Sequence, residues 1–165
     1  MDSSISNAVL RAIRRVLRAA DQGERRLAAA TGLTPSQLLM LQEIERRSET
    51  TPSAVAASLQ FGQATVTNIV DRLTATGLVT RRRSERDKRQ MLLRLTETGQ
   101  RTLQTAPDLL QNQFQDRFGV LPAWEQAMIL AALERLGELL DASEIDAAPL
   151  LDTGVIDRSI EAGDG

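Results

Sequence analysis

The chain has no cysteine, no histidine and no tyrosine, and its single lysine, Lys88, stands beside nineteen arginines. Without thiols there is no disulfide, no thiolate nucleophile and no cysteine-ligated metal. Without imidazole there is no Ser-His-Asp triad and no histidine-ligated metal site. Aromatic residues make up 2% of the chain, so there is little stacking surface, and Phe61, Phe114, Phe118 and Trp124 read as core residues. No run of 18 apolar residues exists to cross a membrane. The first residues lack the basic-then-apolar pattern of a secretory leader, so a cytoplasmic location with no membrane partner is expected. The nearest carboxylate pairs, Glu43/Glu45 and Asp141/Glu144, fall on helical surfaces with no orienting partner. The expectation is therefore a protein that is not an enzyme and that holds neither metal nor cofactor.

What is present is the composition of a globular domain, 42% hydrophobic and 25% charged over 165 residues. The net charge of −2 conceals a strong segregation. Residues 72–101 hold eight arginines and Lys88 against Glu85, Asp87 and Glu97, a local charge of +6. Residues 141–165 hold seven anions and Arg158, a local charge of −6. A polyanion-binding element attached to a body that does not bind polyanions has this distribution. A solvated charged face with an acidic tail has it too, and charge alone does not separate the two.

Hydrophobic periodicity resolves the order of elements. From Ile5 to about Ala30, Val9, Ile13, Val16, Leu17 and Ala20 recur at helical spacing, and Gly32 ends the pattern. Thr34-Pro35-Ser36-Gln37 opens a second helix with a capping threonine, a proline at the first position and a glutamine placed to close the box. Thr51-Pro52 repeats the signal for a short helix to about Leu59. Between Gln63 and Thr74, Val66, Ile69, Val70 and Leu73 mark one buried face, and Gly77 terminates the helix. Residues 78–84 and 90–95 read as the arms of a β-hairpin whose tip, Glu85 to Arg89, is entirely charged. Thr96 caps the next helix. Leu103, Ala106, Leu109, Leu110, Phe114 and Phe118 form one apolar stripe with a kink at Pro107, and Pro122 starts a last helix to about Asp141. The acidic tail that follows contains Leu150, Leu151, Val155 and Ile156, which can dock.

A helix, a short helix, a turn, an amphipathic helix with a small polar outer face and a basic hairpin, in that order, make a helix-turn-helix with a wing. A helix that reads base edges buries one stripe and shows short side chains able to donate and accept; Gln63, Thr65, Thr67 and Asn68 do this, and the threonine methyl matches the thymine methyl. Arg72 lies within reach of phosphate, and Arg86, Asp87, Lys88 and Arg89 form a finger suited to a minor groove.

Residues 33–99 resemble the MarR family of bacterial winged-helix regulators. The resemblance rests on LTPSQLLMLQEI, TPSAVAASL, QATVTNIVDRLTATGLVTRR and SERDKRQMLLRLTETG, with Asp87-Lys88-Arg89 matching the family's D-x-R wing motif. It implies a mainly α fold with a small β-wing, divided into an N-terminal dimerisation helix (1–32), a winged helix-turn-helix module (33–99), C-terminal dimerisation helices (100–142) and the acidic tail (143–165). It further implies a homodimer that straddles a pseudo-palindromic site on double-stranded DNA. Arg89 would enter the minor groove, oriented by Asp87 through a charge-assisted bond, while Thr65, Thr67 and Asn68 would face the major groove. The function so implied is a one-component repressor, released by a small-molecule effector or by an ionic or osmotic signal. RAIRRVLRAAD and DAAPLL are similar to a branch associated with compatible-solute operon control. The absence of cysteine excludes release by thiol oxidation. The breadth of apolar surface over residues 121–140 favours dimerisation without reference to the resemblance. The alternative is a winged-helix protein-interaction module that binds no DNA.

Overall fold

The computed structural model describes residues 3–142. Their order is α1 (Ser3–Thr31), α2 (Pro35–Arg47), α3 (Pro52–Leu59), α4 (Gln63–Ala75), β1 (Val79–Arg83), β2 (Met91–Leu95), α5 (Glu97–Thr105), α6 (Leu110–Gly119) and α7 (Ala123–Leu139). The fold is mostly helical with one two-stranded antiparallel sheet. The tail at 143–165, with the docking assigned to Leu150, Leu151, Val155 and Ile156, lies outside the described residues.

Threonine starts three of the helices by the same chemistry. Thr34 accepts from the Gln37 N–H at 3.3 Å while the Gln37 side chain accepts from the Thr34 N–H at 3.1 Å, closing the box on α2. Thr51 accepts from the Ala54 N–H at the start of α3. Thr96 accepts from the Gly99 N–H at the start of α5 and donates to the Gly77 carbonyl at 2.7 Å. One hydroxyl thus caps a helix and pins it to the turn that ends α4. That turn needs Gly77, whose φ of +71° is open to a residue without Cβ.

The core is built where α2, α3, α4 and the hairpin converge. Leu38, Met40, Leu41 and Ile44 of α2 meet Val55 of α3, Val66, Ile69, Val70 and Leu73 of α4, and Val79 and Leu93 of the hairpin, all buried. The strands pair Val79 with Leu95, Arg81 with Leu93 and Arg83 with Met91. Thr50, just ahead of α3, adds a bridge: its N–H donates to the Leu93 carbonyl and its carbonyl accepts from the Leu93 N–H, at 3.2 and 2.7 Å. Glu43 is also drawn in. It is 7% exposed and accepts two 2.8 Å bonds from Arg46, with Arg47 also donating to it. The Arg46 hydrogen bond, opposed by desolvation and assisted by Arg47 and Ser58, holds its carboxyl at about 2, below the usual 4.5. The exposed Glu43/Glu45 pair read from the sequence is thus corrected: Glu43 is buried and held by two arginines.

The C-terminal half differs from the single kinked stripe. The chain leaves the helix at Ala106, whose φ of −68° and ψ of 133° are the extended geometry favoured before a proline, and re-enters one at Leu110. Pro107 therefore breaks the pattern into α5 and α6, and Leu109, between them, turns into the core. Phe61 is buried as expected, but Trp124 is 67% and Phe114 45% exposed, so these two are not core residues of the protomer. Phe114 instead stacks on Phe118 with ring centroids 5.0 Å apart. Neither α6 nor α7 buries a residue fully. No described helix is long and apolar enough to cross a membrane.

Candidate nucleic-acid interface

Helix α4 sorts its side chains as its periodicity requires. Val66, Ile69, Val70 and Leu73 are buried, while Gln63, Ala64, Thr67, Asn68 and Asp71 are exposed. Thr65 is half-buried, and the Thr67 hydroxyl donates back to the Gln63 carbonyl at 2.9 Å. The helix starts at Gly62 with no side chain capping it, which leaves its first N–H groups open to an incoming acceptor. Arg72 is half-buried on the flank of the helix. It borders a cleft of about 640 Å³ where the end of α1 (Thr31, Gly32), α2 (Gln37), the end of α4 (Thr76) and α5 (Thr102) meet.

The wing is anchored at its base by ion pairs the sequence reading did not identify. Arg81 on β1 donates to Asp71 on α4, tying the hairpin to the outer edge of that helix. Arg82 donates twice to one oxygen of Glu49, at 3.0 and 2.6 Å, and Arg94 lies 3.9 Å from the same oxygen. Arg81 and Arg82 therefore hold the wing in place. The tip residues Arg86, Asp87, Lys88 and Arg89 are all exposed, and among the described residues no ion pair engages Arg83, Arg86, Lys88 or Arg89.

The tip is shaped from below by Ser84. Its hydroxyl, in a buried residue, accepts from the N–H groups of Arg86 and Asp87, each at 3.3 Å. The Gln90 N–H donates to the Asp87 carbonyl and the Ser84 N–H donates to the Gln90 carbonyl, closing the loop. Asp87 meets Arg89, but through the main chain: its carboxylate accepts the Arg89 N–H at 3.0 Å. The orienting bond expected between Asp87 and the guanidinium of Arg89 is thus a backbone contact that shapes the turn, leaving the guanidinium exposed.

All nine sequence-assigned residues lie on two elements, α4 and the wing tip, with the Asp71–Arg81 pair joining the two at their base. Four residues that position these two elements were not assigned from the sequence: Glu49, Thr50, Asp71 and Ser84. Asp71 was detectable, since it follows Ala64, Thr67 and Asn68 at the outward period of α4. Ser84 was detectable as a serine opening a charged turn. Glu49 and Thr50 carried no signal, because their partners Arg82 and Leu93 lie more than thirty residues away in sequence. Chemically, the surface offers amide and hydroxyl groups beside exposed cations.

Residues 31–90 match the family model described as the MarR family. Over 108 residues the chain is 26% identical to the uncharacterized HTH-type transcriptional regulator YdgJ of Bacillus subtilis strain 168, covering 66% of each chain. Over 88 residues it is 28% identical to the HTH-type transcriptional regulator BilQ of Clostridium symbiosum, covering 53% of this chain and 61% of that one. The matches therefore span just under two thirds of these relatives' own lengths. In fold, the chain is similar to a MarR mutant from E. coli crystallised with operator DNA, with a TM-score of 0.51 and 24% identity over 82% of this chain and 99% of that one.

Proposed function

We propose, from the match of residues 31–90 to the MarR family model, that the chain is a regulator of transcription of that family, which binds a specific double-stranded DNA site as a homodimer. The observation that carries this reading is the division of labour among the basic residues. Arg81 and Arg82 are spent on internal ion pairs, whereas Arg86, Lys88 and Arg89 stand exposed on a tip preshaped by Ser84, beside a helix whose outer face is Gln63, Thr67 and Asn68. The tip supplies phosphate and minor-groove contacts, and the helix supplies major-groove donors and acceptors. The operator-bound MarR neighbour supports the same partner.

The dimer is supported by apolar surface left open on the long helices. Trp124, Met128, Leu130 and Leu133 of α7 and Val16 and Leu17 of α1 are each more than half exposed in the protomer. A two-fold dimer sets its half-sites about one helical turn apart, roughly 34–36 Å. The proposed action is repression, with release by a small-molecule effector or by ionic strength. The cleft beside Arg72 and Thr76 is where an effector would touch the end of α4. Ionic release follows from the counterions freed at each phosphate contact.

Titration of a fluorescent duplex carrying the chain's own promoter tests this reading. Affinity falls with salt on a logarithmic slope of about −0.9 per phosphate contacted. Arg89→Ala weakens binding to all sequences alike, and Asn68→Ala relaxes preference at one position per half-site. No binding to any duplex at low salt would overturn the reading in favour of a protein-interaction module.

A further inference from the structure

The first half of α1 carries a feature that the DNA-binding reading leaves unused. Arg11, Arg14, Arg15 and Arg18 recur at i, i+3, i+4 and i+7, so they share one face, and together they line a groove of about 240 Å³. All four are exposed, and among the described residues none is in an ion pair, in contrast to Arg25, which is paired with Asp21. Residues 3–20 contain no anion. At about 100° per residue the arginines lie opposite Val9, Ile13, Val16 and Ala20, so a dimer built on the apolar face leaves them uncovered. Two i,i+4 pairs of like charge weaken the helix that holds them, so a counter-charge that settles there also stabilises α1.

We propose that this arginine stripe is a docking surface for the acidic C-terminal segment of the chain itself, residues 143–165. That segment contains Glu144, Asp146, Asp152, Asp157, Glu161 and Asp164 against Arg158 alone, a charge of −5 facing the +4 of the stripe. Its aliphatic residues, Leu150, Leu151, Val155 and Ile156, suit Leu10, which borders the stripe and is 42% exposed. Twenty-three residues extend to about 75 Å at most, longer than the whole of α1 at about 43 Å. The tether holds the two charges at an effective concentration on the order of millimolar, enough for a weak contact to be populated. The contact screens with salt, because the Debye length is about 10 Å at 0.1 M and about 3 Å at 1 M.

The absence of cysteine provides a clean test in the full chain. Ser159→Cys creates a unique site for a nitroxide label, and paramagnetic broadening of backbone amides reads proximity. At about 20 mM salt the amides of residues 10–18 broaden strongly, and at about 500 mM the effect falls several-fold. Asp152→Asn, Asp157→Asn and Glu161→Gln together abolish it without touching the helix, as does Arg14→Gln with Arg15→Gln. Mixing labelled chains with isotopically enriched unlabelled ones distinguishes docking within one copy from docking between two, and both support the assignment. No broadening on α1 overturns it, as does broadening that survives both charge-neutral variants. Arginine signals of α1 that respond to added duplex but not to the altered segment also overturn it, and assign the stripe to nucleic acid.

Discussion

At Gly99 a Cβ would sit 2.2 Å from the Leu78 carbonyl oxygen, the same oxygen that accepts from the Thr96 N–H at 3.0 Å. Backbone against backbone cannot yield there as a flexible side chain could. Gly99→Ala is expected to destabilise the fold by about 2–3 kcal/mol, read as a lower denaturant midpoint at unchanged slope. Glu43 makes a second prediction at this scale. Its carboxyl sits at about 2 when folded, against the usual 4.5, so its contribution to stability is complete above pH 4.5 and is lost as pH falls toward 2. Glu43→Gln removes roughly 1–2 kcal/mol at neutral pH, given that Arg46 remains open to solvent. The gap between wild type and variant should close progressively from about pH 5 to pH 2 in urea titrations; a gap independent of pH would contradict the assignment. The residue types at Thr34, Thr51 and Thr96 announced their capping role in the sequence, because a cap is a local bond between neighbours. The burial of Glu43 was not legible, since it depends on α3 packing across α2.

The wing divides its arginines by their partners. Arg81 and Arg82 on β1 pair with Asp71 and Glu49 and fix the hairpin to α4 and to the end of α2; among the described residues Arg83 and the tip arginines Arg86 and Arg89 are in no ion pair. Ser84→Ala removes an acceptor for two tip N–H groups and is expected to loosen the loop without unfolding the domain, at about 1 kcal/mol. Duplex affinity then falls roughly threefold to tenfold, as the tip must be ordered on binding. Amide exchange at residues 85–89 checks the cause: it rises in the variant while exchange in α4 does not. The hairpin and α4 were both readable from alternation and from the i, i+3, i+4, i+7 pattern. Which arginines are paired and which are not was not readable, because the counter-charges come from other elements.

At the scale of the whole molecule, the long helices are the least satisfied part of the protomer. Helix α7 leaves Trp124, Leu130 and Leu133 more than half exposed, and α1 leaves Val16 and Leu17 likewise. A second copy is the partner that the proposed two-fold reading of DNA requires. Leu133→Asp, 57% exposed in one chain, is expected to shift the protein to monomers by light scattering. The dimer dissociation constant should rise at least tenfold, by roughly 1.4 kcal/mol or more, and duplex affinity should fall with it. A variant that stays dimeric would move the interface off this face of α7.

The sequence by itself determined the helix starts, the buried stripe and outer polar face of α4, the hairpin with its charged tip, and the concentration of cations in that region. These depend on periodicity and on bonds between near neighbours, and both are written in residue order. The tertiary structure decided the burial of Leu109, the bridge from Thr50 to the wing, the burial of Glu43 and the exposure of Trp124. Each of these is settled by what approaches from a distant part of the chain, and packing across that distance leaves no periodic mark in the residues themselves.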